Sequence, residues 1–425
     1  MKAGKPAVIT SVRALEILDS RGRPTVQVTV ELADGTVAVA GVPSGASTGS
    51  REAVERRDGD VARYRGLGVL DAVAAVGGEI AGCLTGREWH DLADIDTALS
   101  KLDGTAAKSR LGANAIVGVS MACARALATA DRRQLWDWLT PAGVGPRLPV
   151  PHFNVVNGGV HAPNPLDFQE FMIAPLGAPS LAEAVRAGAE VYSSLRALLA
   201  GKGHATGLGD EGGFAPQIAE PEEVLDLLVT AIGDAGYVAG RDGVAIALDP
   251  AASEFRESSG RYRVAGQALT SAEMIERYAQ ITATFPVWSI EDGLAEDDWD
   301  GWVALTDRLG ERIQLVGDDI FVTNPAIIAD AISRGVGNAA LIKVNQIGTV
   351  TETLTAIATC RDAGYAQFVS HRSGETTDTF IADLAVSAGC GQLKTGAPAR
   401  GERVAKYNRL MDIAAAEPAM PFGLV

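Results

Sequence analysis

Six short apolar runs in the last two-fifths of the chain each end in charged or polar side chains, and this recurrence narrows the folds open to the sequence more than any other feature. Asp249 closes VAIALD, Glu291 closes VWSIE, Asp318 closes IQLVGD and Lys343 closes ALIK. His371, Arg372 and Ser373 follow QFVS, and Lys394 closes GQLK. After the first step these ends recur roughly every 25 residues, the length of one strand, one loop and one helix. A helix start is expected at Thr270, which has capping-box spacing to Glu273, and others near Asp297, Pro325, Thr349 and Asp378. Strands alternating with helices predict a parallel sheet. So many units favour closure into a barrel, with an open doubly wound sheet as the alternative. If the strands form one barrel, every charged end lies on the same rim, where barrels carry their chemistry.

The first third reads differently. From about Ile9 to Val42 residues alternate as in paired strands, with Asp34-Gly35 as a hairpin turn. Apolar residues at helical spacing follow, from LDAVAAVGGEIAGCL to LGANAIVGVSMACARALATAD. Pro141, Pro146, Pro149 and Pro151 then crowd a short stretch that reads as a linker. The expected division is an α+β unit over residues 1–138 and a barrel unit over 139–425. A chain of 425 residues, 47% of them hydrophobic, has material enough for both cores.

A net charge of −16 disfavours nucleic acid and anionic membranes as partners. No apolar stretch approaches the roughly 20 residues of a membrane span. The N-terminus, MKAGKPAVIT, lacks the apolar core of a secretory signal. Cys83, Cys123, Cys360 and Cys390 are scattered and read as reduced thiols, so the expected compartment is the cytoplasm.

Asp249, Glu291 and Asp318 offer only oxygen, the donor set of Mg²⁺ rather than zinc. Lys343, set beside divalent ions, Arg372 and Lys394, is expected to have a lowered pKa and to act as a base. Such a lysine beside metal suits removal of a weakly acidic proton next to a carboxylate, because the ions stabilise the doubly charged product. The stretch GLGDEGGFAP holds Asp210 and Glu211 in a glycine-rich turn, and Glu211 is a candidate general acid. His161, Gln169 and Glu170 lie in NGGVHAPNPLDFQEF. Gly207-x-Gly209-x-x-Gly212 matches the dinucleotide fingerprint in form only, since two carboxylates sit inside it and Phe-Ala-Pro follows where a helix should start. PSGASTG, Pro43 to Gly49, reads by itself as a surface turn.

With these residues in hand, the chain resembles the enolase family over almost its full length. EILDSRG, VPSGASTG, SRLGANAI, QEFMIAP, GDEGGFAP, ALDPAASEF, SIEDG, VGDDIFVTN, LIKVNQIGT, SHRSGET and KTGAPAR carry the resemblance in order. It implies an α/β fold: an enolase-like modified TIM-type β/α barrel, one early strand antiparallel, behind an N-terminal α+β capping domain. It implies a hydro-lyase that reversibly dehydrates 2-phosphoglycerate to phosphoenolpyruvate with two Mg²⁺ per site, and a homodimer or an assembly of dimers. Asp249, Glu291 and Asp318 match the first metal's ligands, and Ser47 matches the group that helps hold the second once substrate binds. Lys343 matches the base at C2 and Glu211 the acid at the leaving hydroxide. Lys394 matches the partner of the substrate carboxylate, and Arg372 and Ser373 match phosphate-binding groups, with His371 alongside. His161 and Glu170 match loop residues that close over the leaving group.

Arg23, Leu67, Thr377, His152 and Phe153 depart from the family pattern, as do Pro163 and Pro165 in the lid segment. The lid segment and its neighbouring strand are expected to border the leaving-group side of the pocket. They keep a second reading open: an enolase-like paralogue that dehydrates a related phosphonate or phospho-carboxylic acid. A third reading, from a different class, is an enolase-like scaffold or surface-binding protein, against which the intact set of charged groups argues.

Overall fold

The computed structural model describes residues 6–46 and 48–424. Strands β1 (Ala7–Leu18), β2 (Pro24–Leu32), β3 (Val37–Gly41) and the two-residue β4 (Glu88–Trp89) form an antiparallel sheet in the order β3-β2-β1-β4. Strand β2 shows why the pattern folds this way. Val26, Val28, Val30 and Leu32 are buried, while the alternate Gln27, Thr29 and Glu31 stay partly exposed. The turn at Asp34-Gly35 closes the hairpin, with Gly35 at φ +87°, a conformation glycine adopts without strain.

The helix Ala113–Ala130 packs on β2 and β3. Gly118 allows the close approach, because a Cβ there would lie 2.7 Å from Val28 Cγ2. By length and composition this helix could cross a bilayer, contrary to the expectation from the sequence, but its apolar stretch is 83% buried and it serves as the core helix of the sheet unit.

Beyond the proline-rich segment the chain closes a barrel in the order β10-β11-β12-β13-β14-β5-β6-β7. Its strands are β5 (Val150–Asn157), β6 (Glu170–Ala174), β7 (Ala245–Asp249), β10 (Val287–Glu291), β11 (Gln314–Gly317), β12 (Ala339–Ile342), β13 (Ala366–Ser370) and β14 (Gln392–Lys394). A small hairpin, β8 (Tyr262–Val264) and β9 (Gln267–Leu269), sits between β7 and β10. Pairing of β14 with β5 and of β10 with β7 rules out the open sheet.

Strand β6 runs antiparallel to both its neighbours, and the other barrel pairings are parallel. The connections explain this reversal. The β5–β6 link contains no helix longer than the 3₁₀ turn Gly159–His161, so it cannot carry the chain back to the opposite rim. Two helices, Leu181–Gly201 and Pro221–Asp234, then join β6 to β7 and return the chain to the end it left. The first residue of β6, Glu170, therefore pairs in register with the last residue of β7, Asp249.

Helix starts follow the capping chemistry. Thr270 and Glu273 form the reciprocal capping box, and Asp298, Asn324 and Thr349 cap the helices that begin at Trp299, Pro325 and Val350. Near Asp378 the helix begins at Phe380, whose N–H donates to the Asp378 carboxylate at 2.8 Å.

Candidate active site

Strand ends and two loops bring one cluster of buried charge to the rim. Lys394 is 2% exposed, and its Nζ donates to Glu291 Oε1 at 2.6 Å, Glu170 Oε2 at 3.2 Å and Asp249 Oδ2 at 3.3 Å. Burial alone would lower the lysine's pKa. The carboxylates of Glu170, Glu291 and Asp249 outweigh it and hold the ammonium well above its usual range. Burial pushes the Glu170 and Glu291 carboxyls well up, helped by Glu211 and Asp249 respectively. Glu291 Oε2 is buried without a hydrogen-bond partner among the described residues.

Lys343 directly precedes the short helix Val344–Ile347 and places its Nζ against Asp318 Oδ2. The other Asp318 oxygen accepts from Gln346 Nε2 at 2.8 Å, and Gln346 Oε1 accepts from Thr323 Oγ1 at 2.6 Å. Thr323 Oγ1 also accepts from the Lys343 backbone N–H at 2.9 Å, so one hydroxyl ties together the loops that carry base and carboxylate. The lowering expected for Lys343 depends on divalent ions beside it, and the protein's own groups alone act the other way. Burial, Arg372 and Lys394 pull it down, but contact with the Asp318 carboxylate raises it overall. That carboxylate is in turn held below its usual range despite burial, chiefly by Lys343.

Asp318 also lies beside Asp292 and Asp319, one oxygen of each falling within 4.8 Å of the others. Asp292 accepts from the backbone N–H of Asp318 and of Asp319, both at 2.9 Å, which fixes the turn after β11. The metal set expected from the sequence is thus split here. Asp249 and Glu291 turn to Lys394, and Asp318 turns to Lys343. All-oxygen donors with one orphaned carboxylate oxygen fit a hard divalent cation.

A second group gathers around Glu211. Its Oε2 accepts from Asn154 Nδ2 at 2.9 Å and faces His371 Nε2 at 3.1 Å. His161 Nδ1 stands 3.7 Å from Glu211 and 3.9 Å from Glu170. Burial drives the His371 pKa down to about 3, so its imidazole is neutral. Burial would raise the Glu211 carboxyl, but the histidines and Arg403 around it hold it well below the carboxylate range. Arg372 reaches Glu52 at 2.9 and 3.1 Å and Asn345 Oδ1 at 3.2 Å, and Ser373 Oγ accepts from Arg21 at 3.1 Å.

His161, Gln169, Glu170, Glu211, Lys343, His371, Arg372, Ser373 and Lys394 line one cavity of about 10 Å³. Cavities of about 360 Å³ beside the 43–55 segment and about 570 Å³ on the Trp288 and Gln314 side hold no such convergence of lysines and carboxylates. Chemistry rather than size marks the site. Ser47, expected at the second metal, lies outside the described residues. Glu52, Asn154, Gln346 and Arg403 escaped the sequence reading. Asn154 sits at the period-2 position beyond His152 on β5, but Glu52 and Arg403 had no local signal.

His152 and Phe153 do not border the pocket. The His152 ring lies 4.4 Å from that of Phe368 and 5.5 Å from that of Trp288, fully buried among residues from the middle of the strands. Phe153 points to the opposite face, 4.7 Å from Tyr407 and against Gly188. Strand alternation is the reason, since Asn154 is the residue of β5 that reaches the site. Arg23, Leu67 and Thr377 are exposed and line no part of it. In the lid, Pro163 and Pro165 are exposed, and Asn164 between them donates to Asn157 O at 2.9 Å.

Comparison with known proteins agrees with this arrangement. Residues 9–139 match the family model described as enolase, N-terminal domain, and residues 146–419 match that of enolase, C-terminal TIM barrel domain. A curated protein from Acidothermus cellulolyticus named enolase is 57% identical over 410 residues, covering 96% of this chain and 94% of the relative.

Proposed function

Since the chain belongs to the enolase family and is a lyase that dehydrates 2-phosphoglycerate to phosphoenolpyruvate, we propose how its own residues divide that reaction. Lys343 takes the proton from C2 of the substrate. Glu211 gives a proton to the hydroxide leaving C3, so water and the enol phosphate result. Lys394 holds the substrate carboxylate, while Arg372 and Ser373 hold the phosphate. His371 lies alongside these phosphate-binding groups, and His161 and Glu170 close over the leaving group. The observation that carries this reading is the single cavity that presents Lys343 on one cluster and Glu211 on the other.

Mg²⁺ would be held by Asp249, Glu291 and Asp318, with Ser47 helping at a second ion. When bound it would supply positive charge that stabilises the doubly charged product of proton removal at C2. Asp318, the neighbour that raises the Lys343 pKa, is among the residues that would hold it. Glu211 needs a proton to give. Glu170, whose carboxyl burial pushes well up, stands across His161 from it.

The remaining expectations stand as part of this proposal. Residues 1–138 act as the capping unit and 139–425 as the catalytic unit. Exposed Leu15, Leu18, Val37 and Val39 on the N-terminal sheet give an apolar face for a second copy. Four free cysteines, three of them buried, suit the cytoplasm.

Two variants test the division of labour. Lys343→Ala should abolish exchange of the C2 proton with solvent while leaving Mg²⁺ binding in place. Glu211→Gln should keep that exchange and lose net dehydration. Loss of both activities in Glu211→Gln would refute the assignment.

A further inference from the structure

The proposal concerns Arg403, on the helix Gly401–Ala416, which is wholly buried and touches none of the cavity-lining carboxylates by hydrogen bond. Its Nη1 meets His371 Nδ1 and donates to Arg372 O at 2.6 Å. Its Nη2 donates to Ser373 O at 2.6 Å, to Asp210 O at 3.0 Å and to Ser20 Oγ at 3.4 Å. One planar fork therefore spans the segment that carries His371 to Ser373 and the turn that carries Glu211.

A guanidinium has five N–H donors, no acceptor, and stays protonated in proteins. The atom it meets must be a lone pair, so His371 Nδ1 carries no proton. The single proton of the neutral ring then sits on Nε2, 3.1 Å from Glu211 Oε2. Protonating Nδ1 would set a second N–H against the guanidinium, and this keeps the ring neutral. Arg403 and Lys394 oppose an added positive charge, Glu211 alone favours one, and burial decides against it. We infer that Arg403 is a positioning residue that locks His371 in the Nε2-protonated neutral tautomer and so fixes the proton on the ring nitrogen that stands 3.1 Å from Glu211 Oε2.

The kinetic consequence rests on Glu211 being the acid, but the tautomer can be read without turnover. Five histidines make nitrogen-15 imidazole spectra of the Mg²⁺-loaded protein tractable, with His371→Gln used only for assignment. In the native protein, His371 should show a bare Nδ1 and a protonated Nε2, unchanged through the neutral pH range. In Arg403→Gln, Nδ1 loses its charged donor, so the Nδ1-protonated tautomer should appear and the His371 pKa should rise, stopping short of its ordinary value of about 6.5 because the ring stays buried. Dehydration should fall by about 10²-fold, with a new ionisation in its pH profile, while C2 proton exchange stays near the native rate. Arg403→Lys, which keeps a donor for Nδ1, should restore the native tautomer and profile.

A protonated Nδ1 in the native protein overturns the inference whether or not any variant folds. So does an Arg403→Gln protein whose His371 tautomer and pH profile match the native, since equal loss of exchange and dehydration would then mark a merely structural role. Failure of Glu211→Gln to retain exchange would remove the acid assignment and leave the tautomer result standing.

Discussion

Asp96→Asn should stabilise this protein at high pH and not at low pH. Asp96 lies on the helix Leu92–Asp103, is 3% exposed, and accepts from the Thr351 backbone N–H at 2.9 Å across to the first turn of the barrel helix Val350–Asp362. Its other oxygen has no partner among the described residues. Burial raises its pKa from 3.8 to about 6, against the opposing pull of hydrogen bonds from Thr351 and Ser120. No cation is among the groups that set this value.

The sign follows from linkage. A carboxyl with a raised folded-state pKa binds its proton more tightly in the native chain than in the unfolded one. Stability therefore declines as pH rises from the unfolded value through about 6, and the full cost is present above that. At about 1.4 kcal/mol per unit, the shift of roughly two units corresponds to about 3 kcal/mol. Asparagine keeps an acceptor for Thr351 N–H and cannot ionise. Relative to the native chain, Asp96→Asn should gain about 3 kcal/mol more at pH near 8 than at pH near 4. Urea melts and calorimetry of both proteins at the two pH values measure this directly. A difference that does not change with pH, or one that grows as pH falls, would refute the burial argument.

Two other substitutions test the site's surroundings. His152 is buried with its pKa lowered to about 3, mainly by burial, and its Nε2 is unpartnered. The unfolded chain takes up a proton at this residue below its ordinary value of about 6.5, so His152 costs stability as pH falls. His152→Met should raise the melting temperature more at pH near 5 than at pH near 7.5, with KM for 2-phosphoglycerate unchanged, and a several-fold rise in KM would return the residue to the pocket. Lys394→Met leaves the buried Glu170, Asp249 and Glu291 without their shared cation, at a cost of about 3–5 kcal/mol to the metal-free protein. Added Mg²⁺ should then raise the variant's melting temperature more than the native one's, and equal shifts in the two would argue against metal binding at these carboxylates.

Much of the architecture was legible because it depends on local chemistry. Apolar runs and caps such as Thr270 with Glu273 mark elements wherever the chain goes, and charged strand ends mark a shared rim once the strands are parallel. The candidate site was legible as a set of residue types for the same reason, and the family resemblance put roles on them. Partners were not legible. Alternation on one strand sent Phe153 to the outer face and His152 and Asn154 to the inner one, and of these two only Asn154, further along β5, meets Glu211, a distinction that needs the register of the strand.

The sequence by itself determined which groups could ionise, which could hold a hard cation, and roughly where strands would end. Only the tertiary structure decided their charge states, because a pKa depends on burial and on neighbours hundreds of residues away. Lys343 shows this, since contact with Asp318 outweighs burial and raises its pKa among the protein's own groups. Arg403 shows it again. Nothing near it in the chain points to His371, and only closure of the barrel brings that guanidinium to the one ring nitrogen whose protonation matters.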